Sequence, residues 1–238
     1  NPGTSSTATS NYRFNIVRDR NQALVGTADY EVEHSLKLTV GYSTEFFSGY
    51  ASKFNLFFQR RSGTSFSWVM GMFNDYGFGD QTSSFAGASS YVPYIPTGAN
   101  DPNLSPESTI SYDDLMANFA AVGLDQYAGG FAPKGTGKSP WVSALDFQFQ
   151  QEVPGFADGH KGVIYFTVNN LLNLIDSSKG KVLRQEFTNS SIVDFAGLDS
   201  QGRYIYEPVF GGVDTNNWSI FDSEESTWRV KVGVSYKF

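Results

Sequence analysis

The chain has 238 residues, a net charge of −7 and no cysteine. The lack of cysteine excludes disulfide bonds and cysteine-based zinc sites, and the scattered lysines and arginines are unlike the basic patches of nucleic-acid-binding proteins. Aromatic residues make up 16% of the chain and charged residues 17%, with 24 glycines, a balance typical of β structure with long turns.

The first predicted elements are two strands, near residues 32–46 and 51–62. Side chains of a strand point alternately to opposite faces, so a half-buried strand has an apolar residue at every second position. The apolar positions are Leu36, Leu38, Val40 and Tyr42 in the first strand and Phe54, Leu56 and Phe58 in the second. A short turn near Gly49 connects them.

A long loop is predicted next, over residues 63–139. Within it, Ser111 followed by Asp113 and Asp114 and then by apolar residues indicates one short, capped helix. The helix is expected to end by Gly123, because glycine commonly terminates helices.

Two further strands are predicted near residues 140–153 and 161–170, with a short turn between them. Their apolar positions also alternate: Leu145, Phe147 and Phe149 in one strand, and Ile164, Phe166 and Val168 in the other. A second long loop, 171–226, follows. Short turns that alternate with long connections are typical of outer-membrane β-barrels.

The last predicted strand, 227–238, has the clearest pattern. One face carries Trp228, Val230, Val232, Val234, Tyr236 and Phe238, and the residues between them are polar or glycine. A tilted strand of this length spans the roughly 25 Å apolar band of a barrel, and its aromatic ends match interfacial girdles. We expect these six residues to face lipid and to serve as a barrel-assembly signature. On polarity grounds, substitutions at Gly233 should be milder than those at Val232.

These segments predict an all-β fold: an antiparallel transmembrane barrel wall with long extracellular loops and one short loop helix. No run of about 18 apolar residues is present, so no transmembrane helix is predicted. The alternative interpretation of the last strand is an amphipathic edge strand of a soluble sandwich.

Few residues suggest catalysis. Residues 132–139 resemble a relaxed phosphate-binding loop ending in Lys138 and Ser139, but such a loop needs a buried strand before it and a helix after it, and neither pattern is present. The only histidines, His34 and His160, are far apart in sequence. We therefore expect no catalytic residue, no cofactor and no metal site.

Six aromatic residues in the long loops are candidates for contacts with an external ligand. They are Tyr91, Tyr94, Phe131, Tyr204, Tyr206 and Phe210. Aromatic side chains line many ligand sites, but these six could equally pack the loops against one another. The sequence is compatible with both interpretations, ligand binding and packing of the loops.

Several short pieces, in order along the chain, resemble the C-terminal barrel of TonB-dependent outer-membrane receptors, especially the Oar-like branch with a carboxypeptidase-regulatory-like N-terminal domain. The pieces are Tyr30 to His34; Leu56-Phe57-Phe58 with Arg61-Ser62-Gly63 and Phe66-Ser67; Tyr91-Val92-Pro93; Asn100-Asp101-Pro102-Asn103; Ser139-Pro140-Trp141; Leu145-Asp146-Phe147 with Gln150; Val168-Asn169-Asn170-Leu171-Leu172-Asn173; and the terminal Phe238.

The resemblance implies a 22-stranded barrel with an internal plug, of which this chain would hold about the last five strands, without the plug and the N-terminal domains. It implies a receptor or transporter for a bulky solute in the outer membrane of a Gram-negative bacterium. The implied partners are outer-membrane lipid, the rest of the barrel, an inner-membrane energy-coupling protein and the barrel-assembly machinery. No nucleic acid is expected.

Two other functions remain open from the sequence. The main alternative is a secreted, aromatic-rich β module that binds, for example, glycans. A third is an NTPase, which depends on Lys138 and Ser139 alone.

Overall fold

The structure is a computed structural model that describes residues 15–72, 90–185, 189–213, 215–216, 219–220 and 223–238. Most of its regular structure is antiparallel β-sheet with few helices, which confirms the predicted all-β class. Parts of both predicted long loops, including 73–89, lie outside the described residues.

The elements are as follows in chain order. The strands are β1 (Ser35–Phe47), β2 (Tyr50–Arg61), β3 (Ser65–Met72), β4 (Tyr94–Ile95), β5 (Gly130–Phe131), β6 (Gly137–Lys138), β7 (Val142–Pro154), β8 (Lys161–Asn169), β9 (Leu183–Arg184), β10 (Asn189–Leu198), β11 (Tyr204–Glu207), β12 (Ser219–Ile220) and β13 (Arg229–Lys237). The helices are α1 (Tyr112–Ala121) and α2 (Leu171–Ile175), with a 3₁₀ turn at Asp125–Tyr127.

The chain divides into two compact units, each built from separated segments. We call them the loop unit (residues 1–31, 65–138 and 185–217) and the sheet unit (residues 32–64, 139–184 and 218–238). The loop unit therefore takes most of its residues from the two long connections predicted between strands.

The sheet unit is built around one five-stranded sheet in the order β1-β2-β7-β8-β13. Every neighbouring pair is antiparallel, and its strands are the five segments in which apolar residues alternate. The observed strands begin and end within a few residues of the expected ranges. The edges are β1 and β13, which pair only with β2 and β8 among the described strands.

Both tight connections lie at the same end of this sheet. Ser48 and Gly49 join β1 to β2, with Phe47 opposite Tyr50, and Gly49 adopts φ 82°, a conformation that glycine reaches without steric cost. Residues 155–160 join β7 to β8, where the Gly155 N–H donates to the His160 carbonyl oxygen at 3.0 Å. The long connections leave from the opposite end.

The loop unit has its own sheet, in the order β11-β10-β3-β6. Within it β3 and β10 are parallel, whereas β11 and β6 are antiparallel to their neighbours. Regular strands therefore occur within 63–139 and 171–226, the two segments predicted as long loops. Apolar burial explains the difference, because Phe66, Trp68 and Val193 all lie in the core.

The helices also differ in part from the expectation. Helix α1 begins after Ser111, whose side chain accepts a hydrogen bond from the Asp114 amide, as the capping pattern predicts. Helix α2 was not predicted, so the expectation of a single short loop helix is wrong. It is only five residues long, and Asn170 caps it by accepting a hydrogen bond from the Asn173 amide. So short a helix shows no helical period of apolar residues in the sequence. No helix in the described part of the chain is long and apolar enough to cross a membrane.

Candidate functional site

The first candidate surface is the apolar face of the five-stranded sheet. Strand register brings the alternating residues into continuous rows that cross all five strands. One row is Val40, Leu56, Phe147, Val168 and Val230, and the next is Tyr42, Phe54, Phe149, Phe166 and Val232. In the second row, the rings of Phe54 and Phe149 are in contact, with 4.8 Å between their centroids. Register therefore gives the sheet one apolar face.

Much of this apolar face is open. Val232 and Val234 are 70% and 73% exposed, so among the residues that the structure describes no second sheet packs on this part of β13. Large exposed apolar patches mark contacts with a membrane or with another protein. Leu36, Leu38 and Val40 at the other edge are also exposed.

Polar groups on this face are paired with one another. Ser52 lies opposite Gln151 near the tight turns, and its hydroxyl donates to the Gln151 Oε1 at 2.5 Å. The Gln151 amide in turn donates to the Glu152 carbonyl oxygen at 2.7 Å. Pairing of this kind lowers the cost of moving polar side chains away from water.

The opposite face of the sheet is polar. Its central rows are Gly41, Asn55, Gln148, Thr167 and Lys231, and then Ser43, Lys53, Gln150, Tyr165 and Gly233. The Tyr165 side chain lies over Gly233, so that a β-carbon at this position would collide with the tyrosine ring. Polarity alone underestimates the cost of substitution at Gly233, because the tyrosine ring would have to move.

Aromatic side chains collect at both ends of the strands. At the long-connection end, His34 stacks on Trp141 with 6.2 Å between ring centroids, and the Arg60 guanidinium lies 5.3 Å from the same indole ring. At the tight-turn end, the Tyr236 hydroxyl accepts a hydrogen bond from the Phe156 amide at 3.0 Å. The six residues of the predicted signature thus lie along one edge strand and its flanks, with Trp228 and Phe238 at opposite ends.

The buried residue Asn170 connects three segments of the chain by hydrogen bonds at the long-connection end of the sheet unit. Asn170 has left-handed backbone angles (φ 54°, ψ 55°). Its Nδ2 donates to the carbonyl oxygens of Gly180, at 2.7 Å, and Glu225, at 2.9 Å, while its backbone N–H donates to Asp146 at 2.8 Å. Asn170 therefore joins β8, the following turn and the segment before β13. A polar groove of 520 Å³ runs beside these residues.

The second candidate site lies within the loop unit, where four of the six predicted loop aromatics come together. Ring centroids are 5.4 Å apart for Tyr94 and Phe131, 6.0 Å for Tyr94 and Tyr204, and 5.8 Å for Tyr204 and Tyr206. Tyr206 is completely buried. These contacts define what we call the aromatic cluster: Tyr94, Phe131, Tyr204 and Tyr206.

The other two predicted aromatics lie outside this cluster. Tyr91 is buried in the core of the loop unit, where the Arg20 guanidinium lies 4.9 Å from its ring. Phe210 is 90% exposed, and its backbone N–H donates to Asp194 at 3.0 Å.

A cleft of 690 Å³ opens beside the aromatic cluster and is lined by three of its rings. Such a volume falls in the range of small-molecule sites, about 300–1,000 Å³. Arg18 also lines the cleft, with its guanidinium carbon 4.1 Å from the Phe131 ring centroid. Sequence reasoning did not select Arg18, because a single arginine in an irregular segment carries no pattern.

Asp101 holds the cleft wall in place. Its carboxylate accepts hydrogen bonds from the Tyr94 hydroxyl at 3.1 Å, from the Thr97 amide at 2.8 Å and from the Asn103 amide at 2.8 Å. Burial alone would raise the pKa of Asp101, but these hydrogen bonds outweigh it and lower the pKa. The carboxylate is thus stabilised in its charged form, which fixes the loop that presents Asn103 to the cleft.

The residues considered for other chemistry have ordinary structural roles. The Lys138 ammonium donates to the Ser65 hydroxyl at 2.8 Å, and strand β7, rather than a helix, follows Ser139. His160 contacts the Tyr236 hydroxyl at 3.0 Å. No group of three His, Cys, Asp or Glu side chains that could hold a metal ion occurs within the described ranges.

Comparison of the chain with protein-family models, with curated proteins and with solved structures found no match.

Proposed function

We propose that the sheet unit is part of the wall of an outer-membrane β-barrel, with the apolar face toward lipid and the polar face toward the lumen. The continuous apolar face carries this proposal. A single-layer sheet with one apolar and one polar face is the expected cross-section of a barrel wall, and a soluble sheet would cover such a face with a second layer.

Three further features support a barrel. Aromatic residues lie at both ends of the strands, where interfacial girdles form. The connections are sorted by length, with both tight turns at one end, as in outer-membrane barrels. The edges β1 and β13 each carry unpaired backbone groups, which lipid cannot satisfy, so further strands of the same barrel would have to pair with them.

Within this proposal the protein is a TonB-dependent receptor or transporter that captures or moves a bulky solute, and the chain has no catalytic role. This finer assignment is supported by the sequence resemblance. Its partners would be outer-membrane lipid, the remaining strands and plug, an inner-membrane energy-coupling protein and the barrel-assembly machinery. A plug domain encoded in the same gene would support the assignment, and a gene without one would contradict it.

The experiment that tests the barrel wall uses neighbouring positions of β13. The chain has no cysteine, so Val232→Cys and Lys231→Cys each introduce a single thiol on opposite faces of one strand. In the full-length protein in outer membranes, a water-soluble maleimide should label Lys231→Cys through the lumen and leave Val232→Cys unlabelled. A lipid-soluble maleimide should label Val232→Cys.

Equal labelling of both thiols by the water-soluble reagent would contradict the barrel wall. It would favour the second candidate, a secreted binding module, for which the aromatic-lined cleft is the specific observation. Purification separates the two as well. A barrel needs detergent to remain dispersed, and a secreted module does not.

A further inference from the structure

Arg18 has no hydrogen-bonding or ion-pair partner in the described part of the chain, although it lines the aromatic cleft. Its guanidinium carbon lies 4.1 Å from the centroid of the Phe131 ring. The other cation that lies over a ring in the loop unit, Arg20, donates to the Asn15 carbonyl oxygen at 3.0 Å and to the Ser90 hydroxyl at 2.5 Å. Arg18 therefore keeps a planar set of N–H donors available, and such donors match carboxylates in two-point hydrogen bonds.

Apolar side chains form part of the wall beside Arg18. Leu24, Val25, Phe131 and Pro133 line the cleft together with the aromatic ring of Tyr204. The Tyr204 hydroxyl makes no hydrogen bond among the residues that the structure describes, and the positive charge of Arg18 acts on it electrostatically. Asn103 adds an amide group to the same lining.

The cleft thus combines an unpaired cation, an available hydroxyl donor and an apolar wall. We propose that it binds a carboxylate carried on a six-membered ring, with the carboxylate on Arg18 and the ring against Phe131. Sugar acids and aryl acids both carry a carboxylate on a six-membered ring. The net charge of the chain is −7, so an anion has little reason to collect on its surface except where a local cation such as Arg18 attracts it.

The site goes beyond the proposed function, because it lies within the loop unit and does not depend on whether the sheet crosses a membrane. It is tested by calorimetric titration of the full-length protein in detergent. The probes are glucuronate and benzoate, each compared with a neutral counterpart of similar shape, methyl glucoside and benzyl alcohol. Binding of glucuronate alone would identify sugar acids as the ligand class. Binding of benzoate alone would identify aryl acids.

Arg18→Gln should weaken binding of the anionic probe by about tenfold or more, as expected for loss of a charge-assisted hydrogen bond, and Arg18→Lys should retain part of the affinity. The matched control is Arg60→Gln. It removes an arginine that lies over the Trp141 ring in the sheet unit, and it should leave binding unchanged. Phe131→Leu should weaken binding of either ring while the protein remains folded.

Several outcomes would overturn the proposal. They are no binding of either acid, equal binding of acid and neutral counterpart, or unchanged affinity in Arg18→Gln. Folding in the membrane is measured separately, by the heat-dependent gel mobility of the same preparations. Failure of the barrel wall and failure of the cleft therefore give different results.

Discussion

The hydroxyl group of Tyr206 forms two hydrogen bonds with the backbone of Tyr94, accepting from its N–H and donating to its carbonyl oxygen, both at 3.0 Å. Tyr206 is fully buried, and burial raises its pKa well above the ordinary value, so the hydroxyl stays protonated and able to donate. One side chain therefore satisfies both backbone groups of Tyr94 in strand β4, which is only two residues long.

Tyr206→Phe should destabilise the loop unit, because two buried backbone groups lose their partner at a cost of roughly 1–3 kcal/mol each. The measurement is the urea midpoint of the full-length protein, followed by near-ultraviolet circular dichroism. Tyr204→Phe is the control, since that hydroxyl has no hydrogen-bond partner in the described ranges. Equal midpoints for the two variants would show that the Tyr206 hydroxyl contributes nothing.

In the proposed barrel wall, a lysine at Val232 should impair insertion. Its charge would face the apolar side of the sheet near the middle of β13, where such a change costs roughly 2–4 kcal/mol in a barrel. Ser235→Lys, on the polar face of the same strand, should cost little. Folded protein in the outer membrane is measured by heat-dependent gel mobility. Similar losses in both variants would contradict the assignment of the two faces.

Deletion of Phe238 should reduce the folded yield more than deletion of Ser200, an exposed turn residue. The reason is the predicted role of the terminal aromatic in recognition by the assembly machinery. The measurement is the amount of folded full-length protein in outer membranes. If the two deletions give equal yields, Phe238 has no targeting role, although the strand assignment is unaffected.

Substitutions at Asn170 should separate its two roles. Asn170→Gly keeps the left-handed backbone but removes the amide that donates to two part-buried carbonyl oxygens, those of Gly180 and Glu225, at a cost of roughly 1–3 kcal/mol. Asn170→Ala should cost about 1–2 kcal/mol more, because alanine is strained in the left-handed region. The urea midpoint should therefore be highest for the parent protein, lower for Asn170→Gly and lowest for Asn170→Ala. A Gly variant as stable as the parent would show that the amide bonds are dispensable.

Asp194 should make the loop unit less stable as pH rises. Burial raises the pKa of this carboxyl above its ordinary value of 3.8, the Phe210 N–H lowers it and Glu207 raises it again. Because the folded state holds the proton more tightly than the unfolded state, stability falls as pH rises from about 4 through the folded pKa.

Asp194→Asn removes that charge and should be more stable than the parent at neutral pH. Its advantage should shrink as pH is lowered toward the ordinary pKa of aspartate. Urea midpoints measured between about pH 4 and 8 test the sign, and a constant difference across the range would contradict it.

The sheet unit was predictable because its signal is local. Each residue from Trp228 to Phe238 reveals its face by its own polarity, and that alternation excludes register shifts of one residue, which would reverse the two faces. Strand β10 gave no such signal, and in β3 the alternation of Phe66, Trp68 and Met70 is interrupted by Val69. Val69 and Met70 are consecutive and both buried, as are Val193 and Asp194, since strands covered on both faces lose the period of two.

The aromatic cleft was predictable only as a list of candidates. Tyr94 and Tyr204 are far apart in sequence and meet through pairing that no local pattern encodes. Arg18 had no signal at all, because its significance comes from the absence of a partner in three dimensions. Residue type suggested which side chains could bind a ligand, and only the fold showed which of them meet.

The parallel pairing of β3 with β10 determines the order in which the chain can fold. Ser67 pairs opposite Asn189, so β3 has to wait until a partner about 120 residues further along the chain has emerged, and closing so long a loop is entropically slow. Until then its apolar residues have no strand on that side. The loop unit therefore cannot complete its sheet before the residues of β10 are available, and the apolar side chains of β3 are the ones that wait longest for their partner.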